Sequence, residues 1–431
     1  MNFLVIGSGG REHALVWKLQ QELADSDTVY VTRANPGIRN LKNVKNIAIS
    51  PDNISALVDF ADQNKVYMTF TGSENQIAKG IVDDFQARGL SIFGPTKEAA
   101  RIETSKAHAK RLMHENRIPT AEPFYILDDL SDARRYALQL LQPYGGAVMK
   151  ADGLAQGKGV FVCRIEEEID NAIRRISEDK DLKAAAGRMI VERPLWGEEA
   201  SFIVWTDGYH IIPLVTTQDH KPVDDGDIGP NTGGMGVHTR PRVTRGMDGK
   251  IIREIIRPAV QSMSRYPYKG VLYAGLMVVD GQPYVLEFNA RYGDPEMQSQ
   301  MMLLKSSLVD ISNACIEENL DKIKPEWSDE EAACVVLASK GYPGDYSQNI
   351  GKEIHIAEHL PDYAAVFHAG TGYKDGKIVN TGGRVLGVTA RGPDLDTALR
   401  RVYDLIDRKI VFFEDMHFRR DIGYRSLIHL K

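Results

Sequence analysis

Apolar and polar positions along the chain switch repeatedly between a strand period of two and a helix period of 3.6. Residues 2–6 form a short apolar strand, Gly7-Ser8-Gly9-Gly10 follow, and Leu15, Leu19 and Leu23 then recur at helical spacing. A strand, a glycine turn and a helix in that order open a doubly wound α/β unit. The alternation continues as helix 54–63, strand 66–70, helix 75–87 and strand 91–93, and Gly94-Pro95 closes it. Next come a helix over 97–116 stopped near Pro119, a strand around Phe124, a helix over 131–141, and strands at 147–150, 189–192 and 200–205. Residues 218–221 and 229–236 are polar and glycine-rich and read as long functional loops. Apolar runs 271–279 and 284–288 flank Asp280-Gly281, a strong hairpin signal. Along the second run, alternation puts Glu287 and Asn289 on one face and Leu286 and Phe288 on the other. A helix over 297–315 precedes a last unit with strands at 333–338, 366–367 and 384–389 and a helix over 396–406.

At 431 residues the chain is long enough for two to four domains. Its 53 Lys and Arg against 59 Asp and Glu give a net charge of −6, which argues against a nucleic-acid partner. Three widely spaced cysteines, Cys163, Cys315 and Cys334, suggest neither a disulfide framework nor a thiolate zinc site, and fit a reducing cytoplasm. Neither a signal peptide nor an apolar run of membrane-spanning length is present.

Candidate chemistry gathers at four places. Glu287 and Asn289 offer two oxygen ligands side by side on a strand, as Mg²⁺ or Mn²⁺ with a nucleotide triphosphate would require. Residues 151–162, with Gly153, Gly157, Lys158 and Gly159, form a glycine and lysine loop between two strands that is able to fold over phosphates but lacks the ending of a P-loop. The Gly7–Gly10 turn suits a phosphate, but Glu12 stands where a dinucleotide fingerprint needs its third glycine, and the next strand ends without a ribose-binding acid. This disfavours a nicotinamide oxidoreductase. His355-Ile356-Ala357-Glu358-His359 matches a zinc motif, but its alternation is that of a strand.

Taken together, GSGGREHAL from Gly7, IFGPTKEAARIETSKAHAK from Ile92, KADGLAQGKGV from Lys150, GEEASFI from Gly197, TQDHK from Thr217, GPNTGGMG from Gly229, GLMVVDGQPYVLEFNARYGDPE from Gly275 and VVLASKGYPGDY from Val335 resemble the phosphoribosylamine–glycine ligases of the ATP-grasp superfamily. The matching segments run in order along almost the whole chain. The resemblance implies an α/β and α+β multidomain fold: a Rossmann-like N-terminal domain (1–103), an ATP-grasp core (104–120 and 191–327), a small lid subdomain (121–190) and a C-terminal α/β domain (328–431). It also implies a ligase that joins glycine to 5-phosphoribosylamine with ATP and Mg²⁺ or Mn²⁺, acting as a monomer in the cytoplasm. In the roles it implies, Lys106, Lys150, Gly153, Gly157, Lys158 and Gly159 hold the phosphates, Glu192 and Leu195 lie in the adenine linker, and Glu199 holds the ribose. Glu287 and Asn289 hold the metal. Gly9, Gly10, Arg11, Asp219, Lys221, Asn231, Gly233 and Gly234 bind substrate, while Arg291 and Asp294 both bind it and, with Lys150, act in catalysis. Three segments depart from the family pattern: Phe70-Thr71-Gly72-Ser73-Glu74, Pro36-Gly37-Ile38-Arg39-Asn40 and Arg193-Pro194. The first two put the phosphoribosylamine contacts in question more than the ATP chemistry. Another ATP-grasp ligase and a nucleotide-binding protein without turnover are the remaining alternatives.

Overall fold

The computed structural model describes residues 1–153, 159–179 and 188–427. The N-terminal strands form a five-stranded parallel sheet in the order Val44–Ile47, Thr28–Thr32, Asn2–Ile6, Met68–Thr71, Ile92–Phe93. Strand Asn2–Ile6 is apolar throughout because both its faces are covered. Phe3 and Val5 pack with Ala14, Leu15 and Leu19 of helix Gly10–Gln20, and Leu4 and Ile6 pack with Leu57, Val58, Ile81 and Phe85. The chain order reverses beside the central strand, leaving the Gly7–Gly10 turn at a crevice where such sheets bind ligands.

Strands Phe124–Leu127, Met189–Glu192, Ala147–Ala151 and Val160–Cys163 form a separate antiparallel sheet backed by helices Ala133–Tyr144 and Glu166–Glu178. The remainder is organised on one large sheet. Its main path runs Gln282–Asn289, Gly270–Val279, Glu198–Thr206, Thr217–Asp219, Gly236–Thr239, Glu331–Ser339, Arg384–Gly392, Ala364–His368. The C-terminal strands therefore continue the sheet that carries the Glu287 hairpin.

Three expected helices are broken. The one over 97–116 divides into Arg101–Thr104 and Lys106–Glu115, because Ser105 is extended and its hydroxyl caps the second helix by accepting from the His108 amide. The helix over 75–87 divides at Gly80, whose φ is +94°. The helix over 297–315 becomes Glu296–Met301 and Leu308–Ile316; between them Leu304 bridges to Trp327, and Ser307 caps the second piece. The expected loops at 218–221 and 229–236 are strand over half their length, with 220–221 and 232–235 remaining as loop. Thr217–Asp219 and Gly236–Thr239 pair within the large sheet, and Pro222–Asp224 and Ile228–Asn231 form a hairpin between them. The zinc-like motif begins on strand Ile354–Ile356, and the His355 ring stacks on Phe412. Among the described residues no group of three or more His, Cys, Asp and Glu could hold a metal, and no helix is long and apolar enough to cross a membrane.

Candidate active site

The Asp280-Gly281 turn has positive φ at both residues, as a tight hairpin turn requires, and aligns Gly270–Val279 with Gln282–Asn289. The pairing is not regular. Gly275 faces Glu287 and Leu276 faces Val285, so Leu286 is an extra, bulged residue. The bulge resets the alternation: Val285 and Phe288 both enter the core, while Leu286 lines the cleft with Glu287 and Asn289. This corrects the expectation that Leu286 lies opposite the two oxygen ligands. The bulge also leaves the Leu286 carbonyl free to accept from Lys150 Nζ at 3.0 Å.

A cleft of about 490 Å³ opens over this hairpin. Of the residues singled out by sequence, Arg11, Lys106, Lys150, Gly159, Asp219, Lys221, Asn231, Gly233, Glu287, Asn289, Arg291 and Asp294 line it together. Gly9, Gly10, Gly153, Glu192, Glu199 and Gly234 stand behind its walls or at its margin, and Leu195 is buried. The Gly9 amide donates to Glu12 Oε2 at 2.7 Å, so the carboxylate of Glu12 already caps the first helix. The Gly153 carbonyl accepts from Lys106 Nζ at 2.7 Å. Glu199 pairs with Lys221. Gly157 and Lys158 lie outside the described residues.

Charge in the cleft is arranged in blocks. Buried Glu192 lies between two lysines, 2.7 Å from Lys150 Nζ and 2.6 Å from Lys110 Nζ. Burial pushes the Lys110 ammonium down to about 8 against the pull of Glu192. Burial likewise lowers Lys106 below the usual lysine range. Burial raises Glu287, but Lys106, Lys221 and Lys150 more than offset this, and its carboxyl is held below the ordinary value. An ionised carboxylate beside the Asn289 amide oxygen is a hard donor pair that suits a divalent cation.

Arg291 donates through Nη2 to Asn289 Oδ1 at 3.3 Å and through Nε to Glu74 at 3.2 Å, with Glu103 at 3.6 Å. Burial raises Glu103 to about 7 despite this arginine. Asp294 is partly buried, which raises its carboxyl, but Arg384 and Arg11 more than offset this and hold it below the usual range. Asp219 goes the other way: burial and neighbouring Glu296 raise it well above that range, and its Oδ1 has no hydrogen-bond partner among the described residues. Gly234 has φ +113°, and a Cβ there would lie 2.6 Å from that oxygen and 2.7 Å from Pro295 Cδ. Only glycine fits this turn without displacing Asp219.

Sequence reasoning missed Lys110, Glu74, Glu103, Glu296, Tyr342 and Arg384, all of which line the cleft. Lys110 was readable as a second lysine one helical turn beyond Lys106. Glu74 and Glu103 come from other elements and meet Arg291 only through the fold. Arg384 lies 90 residues or more from everything it touches in the cleft, and no local signal marks it.

Glu287 and Asn289 side by side on a hairpin strand, with Lys150 on a strand of the small sheet and Lys106 on a helix lining the same cleft, are the arrangement of an ATP-grasp enzyme. Models of phosphoribosylglycinamide synthetase match its N domain at residues 1–103, its ATP-grasp (A) domain at 104–297 and its C domain at 332–425. The chain is 42% identical to phosphoribosylamine–glycine ligase of Vibrio cholerae and 44% identical to that of Escherichia coli, over 99% of both chains in each case. The crystal structure of phosphoribosylamine–glycine ligase from Thermotoga maritima superposes with a TM-score of 0.80 at 31% identity, covering 98% of this chain and 100% of that one. Biotin carboxylase from Campylobacter jejuni shares the fold, at 14% identity and a TM-score of 0.71, covering 99% and 94%. The chain belongs to the phosphoribosylamine–glycine ligase family. It is an ATP-dependent ligase of purine biosynthesis that works with a divalent metal.

Proposed function

We propose that the cleft joins glycine to 5-phosphoribosylamine through a glycyl phosphate, releasing glycinamide ribonucleotide, ADP and phosphate. The observation that carries this reading is the convergence of Lys106, Lys150, Glu287, Asn289, Arg291 and Asp294 on one cavity. A carboxylate is a poor electrophile, and phosphorylation gives it a leaving group. Phosphoryl transfer then asks the protein mainly for positioning and charge neutralisation.

Lys106 and Lys150 neutralise the triphosphate under the glycine loop, of which Gly153 and Gly159 are the described ends. Glu192 and Leu195 adjoin the adenine end, and Glu199 the ribose. Glu287 and Asn289 hold Mg²⁺ or Mn²⁺, which supplies charge neutralisation on the phosphates. Arg291, anchored by Glu74 and Glu103, stabilises charge on the glycine carboxylate as it accepts the phosphoryl group. Asp294, kept ionised by Arg384 and Arg11, holds the glycine ammonium. Asp219, Lys221, Asn231 and the Gly233-Gly234 turn form the wall next to it. Arg11, with Gly9 and Gly10 at the first helix, faces the ribose 5-phosphate. The reading is of a monomer. The three cysteines are free and buried, which suits the cytoplasm.

The test is product formation by purified protein with ATP, Mg²⁺ and both co-substrates. Glycinamide ribonucleotide and ADP should appear in equal amounts. ADP release that ignores the omission of glycine or of phosphoribosylamine overturns the reading. Asp294→Asn should raise the glycine KM at least about ten-fold, the scale of one lost charge-assisted contact. An unchanged glycine KM would remove that role.

A further inference from the structure

The C-terminal strand Arg384–Gly392 begins with an arginine that leaves its own unit. Arg384 Nη1 donates to the Gly233 carbonyl at 2.5 Å and to the Asp294 carbonyl at 2.7 Å, with the Gly234 carbonyl at 3.5 Å. Its Nη2 lies 3.5 Å from Asp294 Oδ2. One guanidinium thus spans the turn beside Asp219 and both the backbone and the side chain of Asp294. A planar fork with five donors makes such a multiple contact, and a lysine ammonium does not. The same wall is held a second time: the Tyr342 hydroxyl, also C-terminal, accepts from the Gly233 amide at 3.1 Å.

The arginine is fixed at its base. Its residue pairs with Ala338 at a register shift on strand Glu331–Ser339, which on its other side pairs with Gly236–Thr239, directly after the turn, and at Ala338 itself with Met416–His417. The guanidinium and the turn are therefore parts of one sheet. Both sides of the contact are partly buried, with Arg384 22% and Asp294 21% exposed, so water screens the pair less than it would at the open surface.

We propose that Arg384 is a positioning residue for the amino-acid substrate: it orients the Asp294 carboxylate and fixes the Gly233-Gly234 turn, so that the C-terminal unit completes the glycine end of the site. The inference rests on the reading that Asp294 holds the glycine ammonium. Arg384 itself acts through Asp294 and the turn.

The experiment is steady-state kinetics of Arg384→Gln, Arg384→Lys, Asp294→Asn and the Arg384→Gln/Asp294→Asn double variant, with glycine and ATP varied separately. Arg384→Gln should raise the glycine KM about ten-fold while the ATP KM moves less than about two-fold, and Arg384→Lys should restore only part of the loss. The two single effects should not add, because both act on one carboxylate. An unchanged glycine KM in Arg384→Gln, an equal rise in both KM values at an unaltered melting temperature, or strict additivity overturns the proposal. If Asp294→Asn raises the glycine KM and Arg384→Gln does not, the inference alone falls. If Arg384→Gln raises it and Asp294→Asn does not, the ammonium assignment falls and the positioning acts through the turn. A general loss of folding in Arg384→Gln would move the ATP KM and the melting temperature together, and Tyr342→Phe, which removes the second tie to Gly233 and nothing charged, should then still raise the glycine KM selectively. Failure of both readouts refutes the proposal.

Discussion

At the scale of single residues, the cleft is a set of charges that hold one another in usable states. Lys110 shows this most simply. It is buried, lies 2.6 Å from Glu192 and donates to Thr120 at 2.6 Å. It is one of two lysines flanking a single glutamate. Lys110→Met leaves Glu192 to bind Lys150 alone, and removing one partner of a buried pair typically destabilises by about 3–5 kcal/mol. Chemical denaturation should show that loss, and the ATP KM should rise as Lys150 is drawn toward Glu192; unchanged values for both would refute the pairing. The sequence disclosed residues whose chemistry is local: a Glu and an Asn two apart on a strand, lysines beside glycines, an Arg and an Asp after the hairpin. Arg384, Glu103 and Glu74 were hidden because their roles exist only once distant strands and helices are brought together.

At the scale of elements, strand and helix types were mostly legible and their interruptions were not. Apolar periodicity runs on through Ser105, Gly80 and residues 302–307, so it cannot distinguish one long helix from two short ones whose faces happen to stay in phase. The stop at Ser105 matters most, since it makes Lys106 the first residue of its helix. Ser105 Oγ accepts from the His108 amide at 3.1 Å and lies 3.2 Å from Asp152 Oδ2, and the Ala107 amide donates to Asp152 Oδ1 at 3.1 Å. A helix start and the mouth of the glycine loop are thereby joined. Ser105→Ala should lower stability by about 1 kcal/mol, the usual worth of such a cap, and weaken ATP binding measured calorimetrically; unaltered ATP affinity would show the junction to be structural only. The bulge at Leu286 was equally invisible, because an extra residue in one strand leaves no mark in composition and shows only against the register of its partner.

Across the whole molecule, buried neutral histidines sit where the C-terminal unit meets the rest. His13 Nδ1 accepts from the His368 amide at 2.7 Å, and His220 Nε2 accepts from the Gly423 amide at 3.1 Å. Protonating either nitrogen would set two donors face to face. Burial lowers all four of His13, His368, His220 and His238, with His368 and His220 at about 4. An unfolded histidine takes up its proton near pH 6.5 and the folded one only well below, so this contribution to stability is complete above about 6.5 and is lost as the pH falls toward the folded value. Glu103, raised to about 7, works with the opposite sign over the same range. Asn at position 13 accepts the same hydrogen bond without titrating. His13→Asn should therefore flatten the pH dependence of unfolding free energy between pH 6.5 and 5 by about 1.4 kcal/mol per pH unit. Denaturant titrations at several pH values measure the slope, and an unchanged slope refutes the assignment. The continuous sheet has one more implication, for synthesis on the ribosome. A nascent chain halted before residue 384 already contains the Glu287 hairpin, strands Thr217–Asp219, Gly236–Thr239 and Glu331–Ser339, and the Tyr342 tie to Gly233, but the guanidinium that joins the Gly233 turn to Asp294 is still missing. On the Arg384 proposal, competence toward glycine comes only once the strand that carries this arginine has been made, and chains stopped just before it should bind nucleotide yet handle glycine poorly.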